Sequence, residues 1–318
     1  MKQLYYLMVC LLVVSPLRVA ATDTNNLVLY STGFEKAEGY DPQLELMGQR
    51  GWVGVGTGGN GLVDSFFPGL GQQAFVGFSP PTGTNLSLSV WYPDANIKTQ
   101  YSRIRFSVDM SIEDSTGTNY DDFRWSVYNT NGQRHFTLDF DNNAQLITFA
   151  LDDQSGFIST GRKFTNSAIY RVVIDMDFNS NRWNATLDGD VIVEYQPITT
   201  AGNALNFGDA DAVWSIQKPG APGDNFMLFD NYQIMAVLDP LPAPPAPRFM
   251  AIQRLDSNQV LLRLQGWLNQ LCQVEFSDDL TRWKPLKTAA FTNTGSLDLV
   301  DDSAASRAAR FYRASYVP

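Results

Sequence analysis

The sequence contains very little cysteine and histidine, with two and one respectively in 318 residues. Cys10 lies in an apolar N-terminal stretch that we expect to be removed, so Cys272 is the one cysteine of the mature chain and no intramolecular disulfide can form. One histidine and one cysteine also fall short of the usual ligand set of a zinc site. The chain must therefore be held together by hydrophobic cores, which its length allows.

Long hydrophobic runs are missing after the first twenty residues. The N-terminus has an apolar run over 4–14 and small residues at Ala20 and Ala21, the pattern of a cleaved secretory signal peptide over residues 1–21. No later stretch approaches the roughly 20 apolar residues that a transmembrane helix needs. The sequence therefore predicts an exported protein without a membrane span, which is secreted, held at the cell surface or kept in the periplasm.

Positive charge is also scarce, because 23 Lys and Arg stand against 33 Asp and Glu, a formal charge of −10. Loss of the signal peptide removes Lys2 and Arg18 and leaves 21 basic against 33 acidic residues, or −12. Such a chain is a poor partner for nucleic acid. Acidic polysaccharides and anionic membranes are disfavoured in the same way, unless arginines gather in one local patch.

No segment of the first two thirds of the chain shows the periodicity of an amphipathic helix, whereas many show the two-residue period of a strand. The stretch 103–110 alternates Ile, Phe, Val and Met with Arg, Arg, Ser and Asp, and 123–128 and 135–140 alternate in the same way. The Asn-Thr-Asn-Gly turn at 129–132 joins the latter two strands as a hairpin. We expect these three strands to be antiparallel neighbours in an all-β sandwich of roughly a dozen strands.

The polar sides of these strands form the first candidate site. Arginine, tyrosine, histidine and aspartate on one rigid surface supply donors, acceptors and a stacking ring, which suits a hydroxyl-rich ligand. The alternative is an ordinary solvated sheet face, which is polar as well. A tryptophan on the polar side of the strand LSLSVWY is a further stacking candidate. The candidate ligand-binding residues are Trp91, Arg105, Arg124, Tyr128, His135 and Asp139.

Proline marks the division of the chain into modules. Five prolines lie between 240 and 247, a composition that cannot pair in a sheet and favours a stiff, extended spacer. We therefore predict a signal peptide over 1–21, a first module over 22–237, a linker over 238–248 and a small β module over 249–318. Six short strands in the last module predict a fibronectin-like β-sandwich.

Short motifs of the first module carry a resemblance to a known family. They are GFE at 33–35, GW at 51–52, the hairpin RVVIDMDFNSNRWNATLDGDVI at 171–192 and FDNYQI at 229–234. Together they resemble a concanavalin A-like, laminin-G-like jelly roll over about 27–237. The resemblance implies two curved antiparallel sheets, a concave face often used for glycans and, in some members, a structural calcium. Since that family contains both lectins and enzymes, the fold alone does not decide the activity.

The resemblance also implies where a calcium would bind. Jelly-roll binding modules often carry one acidic residue just after the first strand and another in the last, and these positions resemble Glu35 and Asp230. Alternation gives a second reason, because it puts Asp230 in register with Leu228 and Tyr232 at the edge of the core, where a carboxylate needs a partner. An arginine or a backbone turn is the alternative partner. No other cofactor is expected.

Enzymatic members of that fold have recognisable catalytic residues. Laminarinase-like members carry a Glu-x-Asp-x-x-Glu strand, and no such triplet occurs here; Asp175 and Asp177 share a face but have no partner across a cleft. Lyase-like members pair a histidine with a tyrosine, which His135 and Tyr128 could imitate, but the flanking motifs differ. We therefore predict a non-catalytic protein that binds a polysaccharide or another glycan, or acts in adhesion. A polysaccharide lyase or glycoside hydrolase, and a structural surface protein without a small ligand, are the alternatives.

The second module carries a more specific resemblance. It contains Ser-x-Asp-Leu-x-x-Trp at 277–283 and Arg-Phe-Tyr-Arg at 310–313. This pattern resembles the C-terminal domain that recurs in secreted proteins of Verrucomicrobia and related bacteria. Trp283 and Phe311 are predicted to be core residues, and Cys272 is predicted to be a small buried hydrophobe.

Overall fold

The computed structural model describes ten segments of the chain. The predicted signal peptide, residues 1–21, lies outside the described residues, as do residues 239–245 of the predicted linker. The described segments are 26–56, 58–78, 87–93, 101–153, 155–238, 246–255, 259–267, 270–291, 295–304 and 310–317.

Alternating apolar and polar residues form strands throughout these segments, and the one helical element among them is a single 3₁₀ turn, Lys36–Glu38. Within the described ranges no helix has the length and hydrophobicity that crossing a bilayer requires. The strands are β1 (Asn26–Thr32), β2 (Val53–Val55), β3 (Asn60–Asp64), β4 (Gln72–Gly77), β5 (Ser87–Trp91), β6 (Arg103–Glu113), β7 (Asp122–Tyr128), β8 (Arg134–Asp141), β9 (Leu146–Leu151), β10 (Ile158–Lys163), β11 (Tyr170–Asp177), β12 (Arg182–Leu187), β13 (Asp190–Gln196), β14 (Asp209–Ser215), β15 (Phe226–Val237), β16 (Arg248–Arg254), β17 (Val260–Gln265), β18 (Leu271–Ser277), β19 (Lys284–Ala290), β20 (Ser296–Asp301) and β21 (Phe311–Tyr316).

The strands β1 to β15 form two antiparallel sheets packed against each other. Sheet 1 has eight strands in the order β13-β12-β11-β6-β15-β4-β3, with β1 also paired to β15. Sheet 2 has seven strands in the order β10-β9-β8-β7-β14-β5-β2. The result is the all-β, jelly-roll-like sandwich that the sequence predicts. The first and last strands, β1 and β15, are neighbours, as expected for such a sandwich.

The apolar halves of the strands fill the space between the two sheets. Phe106 of β6 and Trp125 of β7 approach to 5.1 Å between ring centroids, and Phe229 of β15 meets Trp125 edge-on at 5.4 Å. Tyr232 is also fully buried, and its hydroxyl donates to the Ala210 carbonyl of the opposite sheet at 3.0 Å. A buried hydroxyl with a partner avoids the cost of an unsatisfied polar group. One aromatic core therefore joins the two sheets.

The sheet topology corrects one prediction and confirms another. The prediction that β6 lies beside β7 and β8 is wrong, because β6 pairs with β11 and β15 in sheet 1, whereas β7 and β8 belong to sheet 2. Alternation shows which face of a strand is buried and says nothing of the side of the core on which the strand lies. The β7–β8 hairpin is confirmed, and the Gly132 amide closes its turn onto the Asn129 carbonyl at 2.9 Å.

The strands β16 to β21 form two small three-stranded sheets, β16-β17-β20 and β19-β18-β21, in agreement with the six strands predicted for this region. They enclose a hydrophobic cluster of their own, which includes Leu262, Val274 and Phe291. Cys272 belongs to this cluster and is fully buried, and burial raises the pKa of its thiol to about 11. The thiol is therefore protonated and unreactive at neutral pH, as predicted.

The two motifs of the second module stabilise its local structure. Asp279 accepts hydrogen bonds from two backbone amides of the turn that follows it, at 2.8 and 2.9 Å. Trp283 is partly buried and carries the Arg313 guanidinium 4.4 Å above its ring. The prediction that Phe311 is a core residue is wrong, because it is 37% exposed, whereas the next residue, Tyr312, packs against the cluster. The inward-facing and outward-facing positions of β21 are therefore the reverse of those predicted.

Candidate functional site

A pocket of about 300 Å³ opens on the outer face of sheet 2, where β2, β5, β7 and β14 lie side by side. It combines two aromatic side chains with two carboxyl groups. The lining residues are Val55, Ser89, Trp91, Tyr128, Gly132, Asp209 and Asp211. This pocket is called the dyad pocket below, after the two aspartates.

Strand alternation explains why the two aspartates face outward. Ala210 and Ala212 of β14 are fully buried in the core, so the residues between and before them point to the opposite face. Asp209 pairs with Tyr128 of β7 in the ladder, which puts the phenol directly beside the acidic pair. On the other side of β14, Trp91 ends β5, and the dyad pocket is formed between these strands.

The two aspartates form a hydrogen-bonded carboxyl pair. Asp211 is only 5% exposed, and burial followed by the charge and hydrogen bond of Asp209 raises the pKa of its carboxyl well above the usual range. Two carboxylates this close cannot both be ionised at low cost, which disfavours the doubly charged form of the pair. The Oδ1 atom of Asp211 is buried and has no hydrogen-bond partner.

Tyr128 completes the polar lining of the dyad pocket. Burial and the charge of Asp211 raise the pKa of its phenol, while Arg134 acts in the opposite direction. The guanidinium of Arg134 is already engaged, because it donates to the Leu151 carbonyl at 2.8 Å and to the Thr137 hydroxyl at 3.2 Å. Tyr128 is therefore a neutral donor or acceptor next to the dyad.

Arg124 and Asp139 face outward on the same sheet but bind each other. Arg124 Nε donates to Asp139 Oδ1 at 2.7 Å, and the guanidinium lies 4.9 Å from the centroid of the Phe157 ring. Asp139 is 3% exposed and also accepts a hydrogen bond from Thr148 at 2.9 Å. Burial raises the pKa of Asp139 in spite of its cationic partner. The predicted residues Arg124 and Asp139 therefore form a structural pair near the pocket and not part of its lining.

The structure contradicts the prediction that His135 shares this outer face. The β7–β8 ladder has a bulge, with Arg134 opposite Tyr128, so the register of His135 changes. Its ring is fully buried, packs near Phe178 and meets the Asn206 carbonyl at 3.0 Å through Nε2. Burial lowers its pKa, which keeps the imidazole neutral. His135 therefore contributes to the core and does not join Tyr128 in a cleft.

Arg105 is also separated from the other predicted residues, because it lies on the outer face of sheet 1. It forms a bidentate ion pair with Asp175 of β11, with both hydrogen bonds 3.0 Å long. Arg103 approaches the same carboxylate at 3.4 Å. The residues predicted to share one face are thus divided between opposite sides of the sandwich, as follows from the position of β6 in sheet 1.

Glu35 and Asp230, the predicted calcium ligands, lie near each other: Asp230 belongs to β15 of sheet 1, and Glu35 precedes the 3₁₀ turn that follows β1. Asp230 is 2% exposed, and burial together with repulsion from Glu35 and Asp109 raises the pKa of its carboxyl to about 6. The predicted register of Asp230 is wrong, because a bulge follows it; Asp230 lies opposite Asp109 on the outer side, whereas Tyr232 faces the core. Asn231 is the first residue of the bulge and has a left-handed backbone conformation, with a φ of 50°.

A cation between Glu35 and Asp230 would relieve their repulsion, which agrees with the predicted calcium. In the part of the chain that the structure describes, however, no set of three acidic, histidine or cysteine side chains could hold a metal. Calcium takes six to eight oxygen ligands, so backbone carbonyls, amide side chains and water would have to supply the others. The calcium site stays a prediction.

Comparison with known proteins gives distant structural similarities. No protein-family model matches the chain, and no curated protein matches its sequence. Among solved structures, a sialidase is 8% identical over 59% of this chain and 17% of its own length, with a TM-score of 0.43. The cellulose induced protein Cip1 is 12% identical over 64% of this chain and 96% of its own, with a TM-score of 0.46. A protein of unknown function with a galectin-like fold from Bacillus subtilis is 11% identical over 68% and 99%, with a TM-score of 0.44.

Of the six residues predicted for ligand binding, the structure brings Trp91 and Tyr128 together in the dyad pocket. Sequence reasoning missed Asp209 and Asp211. Their signal is the run Asp-Ala-Asp-Ala-Val-Trp over 209–214, in which acidic and apolar residues alternate. Because alanine is a weak mark of a buried strand position, the alternation of this run does not indicate a strand clearly.

Proposed function

We propose that this protein binds a carbohydrate, without cleaving it, in the dyad pocket. The observation that carries the proposal is the occurrence there of a partly exposed indole, Trp91, beside the half-buried Asp209 and the buried Asp211. Sugars present apolar C–H faces and rows of hydroxyl groups. An aromatic ring and convergent oxygens on a rigid sheet match both features.

The polar groups of the pocket suit hydroxyl ligands. Two carboxyl groups offer several acceptor positions, and a protonated carboxyl also offers a donor, whereas each sugar hydroxyl can both donate and accept. Tyr128 adds a hydroxyl of its own, and Ser89 lies on the same wall. All these groups are on paired strands, so little conformational entropy is lost when a ligand binds.

Two observations favour binding over cleavage. Glycosidases place the glycosidic bond between carboxyl groups roughly 5 to 9.5 Å apart, whereas Asp209 and Asp211 share a hydrogen bond and leave no room for it. A lyase of the kind considered above would need a histidine beside Tyr128, and His135 is buried elsewhere. The predicted signal peptide supports a role outside the cytoplasm, where polysaccharides are exposed.

A glycan array probed with the mature protein, followed by titration of the glycans that bind, tests this proposal. The variant is Trp91→Ala, and the matched control is Trp283→Ala, which removes another partly exposed tryptophan from the connection between β18 and β19. We expect Trp91→Ala to weaken binding about tenfold or more, since a central aromatic contact typically contributes that much. The control should bind like the wild type.

Two results would contradict the proposal. If no glycan is retained, or if both variants bind equally well, the dyad pocket is not a carbohydrate site and the structural surface protein is favoured. If the bound glycan is shortened during incubation, as shown by new reducing ends or unsaturated sugar ends, the non-catalytic part is wrong.

A further inference from the structure

We infer that a second carbohydrate site lies in a groove between the two-sheet sandwich and the small C-terminal sheets. The class of ligand rests on the proposed function, whereas the surface is separate from the dyad pocket. Two adjoining hollows of about 510 and 290 Å³ form the groove, and both are lined by Glu194, Gln265, Gly266 and Trp267. The larger hollow is also lined by Arg248 and Tyr316. This groove is called the seam groove below.

Two contacts hold the walls of the seam groove together. The buried side chain of Gln270 donates through Nε2 to the Tyr195 carbonyl of the sandwich at 2.8 Å. The Tyr195 ring lies 5.3 Å from the Trp267 ring, measured between centroids. A buried hydrogen bond and an aromatic contact keep both walls in place, so little ordering is needed when a ligand binds.

A β-bulge in β13 brings Tyr195 into these contacts. In the β12–β13 ladder, Glu194 and Tyr195 together face the single residue Asn184. Tyr195 has a left-handed backbone conformation with a φ of 50°, and its amide donates to Asn184 Oδ1 at 2.5 Å. A bulge changes the direction of the side chains that follow it. Here it turns Tyr195 towards the small sheets and leaves Glu194 in the wall of the groove.

The backbone that carries Trp267 is also closely packed. A Cβ atom at Gly266 would lie 2.3 Å from the Phe291 ring, so only glycine fits at this position. The Gly266 amide donates to the Gly295 carbonyl at 2.9 Å. The ring of Trp267 therefore extends from a fixed point of the small sheets.

The seam groove combines aromatic rings with planar polar groups. Trp267 and Tyr316 supply the rings, and the Trp267 amide donates to the Tyr316 hydroxyl at 3.0 Å, which leaves the phenol its own proton to donate. Glu194, Arg248 and Gln265 supply a carboxyl, a guanidinium and an amide group. Such groups form paired hydrogen bonds with neighbouring hydroxyls, while the rings match the apolar faces of sugars.

The seam groove and the dyad pocket occupy different parts of the sandwich. The sandwich wall of the seam groove comes from β9, β10 and β13, whereas the dyad pocket lies between β2, β5, β7 and β14. In sheet 2, β7 and β8 separate β14 from β9. Neighbouring strands lie about 4.8 Å apart, which puts β9 roughly 14 Å from β14. A short oligosaccharide at one site therefore leaves the other site open.

We expect the seam groove to bind sugars more weakly than the dyad pocket. Gln265 and Arg248 are exposed, whereas Asp211 of the dyad pocket is buried. Polar groups in contact with water gain less from a new hydrogen bond, because water already binds them. The two sites should therefore fill at different oligosaccharide concentrations.

Nuclear magnetic resonance of isotope-labelled protein tests this inference, because each indole N–H gives its own signal. The signals of Trp91, Trp267 and Trp283 are assigned by replacing each residue with phenylalanine. The probe is a tetrasaccharide of the glycan class that the array selects, or cellotetraose if the array is silent. We expect the Trp91 signal to shift first, the Trp267 signal to shift at higher probe concentration and the Trp283 signal to stay in place.

Glu194→Gln is the variant of the seam groove, and Asp190→Asn is its matched control, because each removes one negative charge from β13 and keeps the side-chain shape. We expect Glu194→Gln to raise the dissociation constant read from the Trp267 signal about fivefold or more, since it removes the charge from one hydrogen bond. Asp190→Asn should leave that constant unchanged. Thermal unfolding shows whether both variants are folded, and Gln265→Ala gives a second variant of the groove if Glu194→Gln is not.

The outcomes separate this inference from the proposed function. If the Trp91 signal shifts and the Trp267 signal does not, carbohydrate binding in the dyad pocket stands and the second site is overturned. An equal response of the Trp267 signal in wild type and Glu194→Gln also overturns it. A shift of the Trp267 signal alone would support the seam groove and contradict the proposed function. If neither signal moves with cellotetraose and the array is silent, both proposals fail.

Discussion

On the outer face of sheet 1, arginine and aspartate neutralise each other, whereas on the outer face of sheet 2 the dyad pocket places two carboxyl groups beside each other. Arg105 holds Asp175 through two hydrogen bonds of 3.0 Å. Asp211 shares a hydrogen bond with Asp209, burial raises the pKa of its carboxyl, and its Oδ1 atom has no hydrogen-bond partner. Both faces are polar, so their composition alone does not distinguish them. The difference in partners separates a charged network that stabilises the fold from a surface that can bind a ligand.

The network on sheet 1 extends beyond this pair. Arg171 donates to Asp109 at 3.0 Å and to the Ser107 hydroxyl at 2.8 Å, and Asn231 reaches the same Asp109 at 2.8 Å. These groups belong to the three adjacent strands β6, β11 and β15, or, for Asn231, to the bulge within β15. Side chains that link strands in this way stabilise the sheet through cross-strand pairs.

The largest effect on stability is expected on sheet 1. Asp175→Asn removes the negative charge that faces Arg103 and Arg105, whose side chains are 9% and 26% exposed. We expect a loss of about 2 kcal/mol in the free energy of unfolding, measured by denaturant titration. Asp190→Asn, which breaks an exposed ion pair with Arg162, should change it by under about 1 kcal/mol. Equal losses in the two variants would show that the charged network of sheet 1 contributes no more to the free energy of unfolding than an exposed ion pair does.

The second-largest effect on stability is expected on sheet 2, at Asp122 of β7, where a substitution should stabilise the protein. Burial, followed by repulsion from Asp139, raises the pKa of Asp122 to about 7. Between pH 3.8 and about 7, the Asp122 carboxyl keeps its proton in the folded protein but has lost it in the unfolded chain. The free energy of unfolding therefore falls as the pH rises through this window.

Asp122→Asn removes this loss of stability, because the amide has no charge to desolvate. We expect the variant to be more stable than wild type by about 1 to 2 kcal/mol at pH 8 and to differ little at pH 4. Thermal unfolding across this pH range measures the effect. A variant that is less stable at pH 8 would mean that the hydrogen bonds of Asp122 with Asn142 and Gln217 outweigh its burial cost.

The smallest effect concerns the predicted calcium of sheet 1. Glu35 and Asp230 repel each other in a buried setting, so millimolar calcium added to chelator-treated protein should raise the unfolding temperature by a few degrees. Glu35→Gln should abolish that rise, whereas Asp190→Asn should keep it. An unfolding temperature that does not change with calcium would leave the acidic pair of sheet 1 without a metal.

The strand pattern was predictable because each strand of the sandwich buries one face, so β6, β7 and β8 and the turn between the last two follow from alternation. Their distribution between the sheets was not, because β6 and β7 have the same pattern and lie on opposite sides of one core. Two bulges also changed the outcome. One buries His135 and the other moves Asp230 to the outer side, and an extra residue in a strand has no clear mark in the sequence.

The candidate site was predictable in part. Trp91 and Tyr128 follow large buried residues, Val90 and Val127, so their outward direction was evident. Asp209 and Asp211 alternate with alanine, which occurs in helices, loops and cores alike, so the acidic half of their strand is not evident from the sequence. The raised pKa of Asp211 depends on its burial and on the closeness of Asp209, and neither is visible in the sequence.

The most direct test of the difference between the two faces is titration of one array-selected glycan into wild type, Trp91→Ala and Asp175→Asn under identical conditions. The first variant changes the dyad pocket and the second changes the charged network on the opposite face. We predict that Trp91→Ala loses binding about tenfold or more with little change in unfolding temperature, and that Asp175→Asn is less stable but binds like wild type. Binding that is weakened by Asp175→Asn and unaffected by Trp91→Ala would contradict the account.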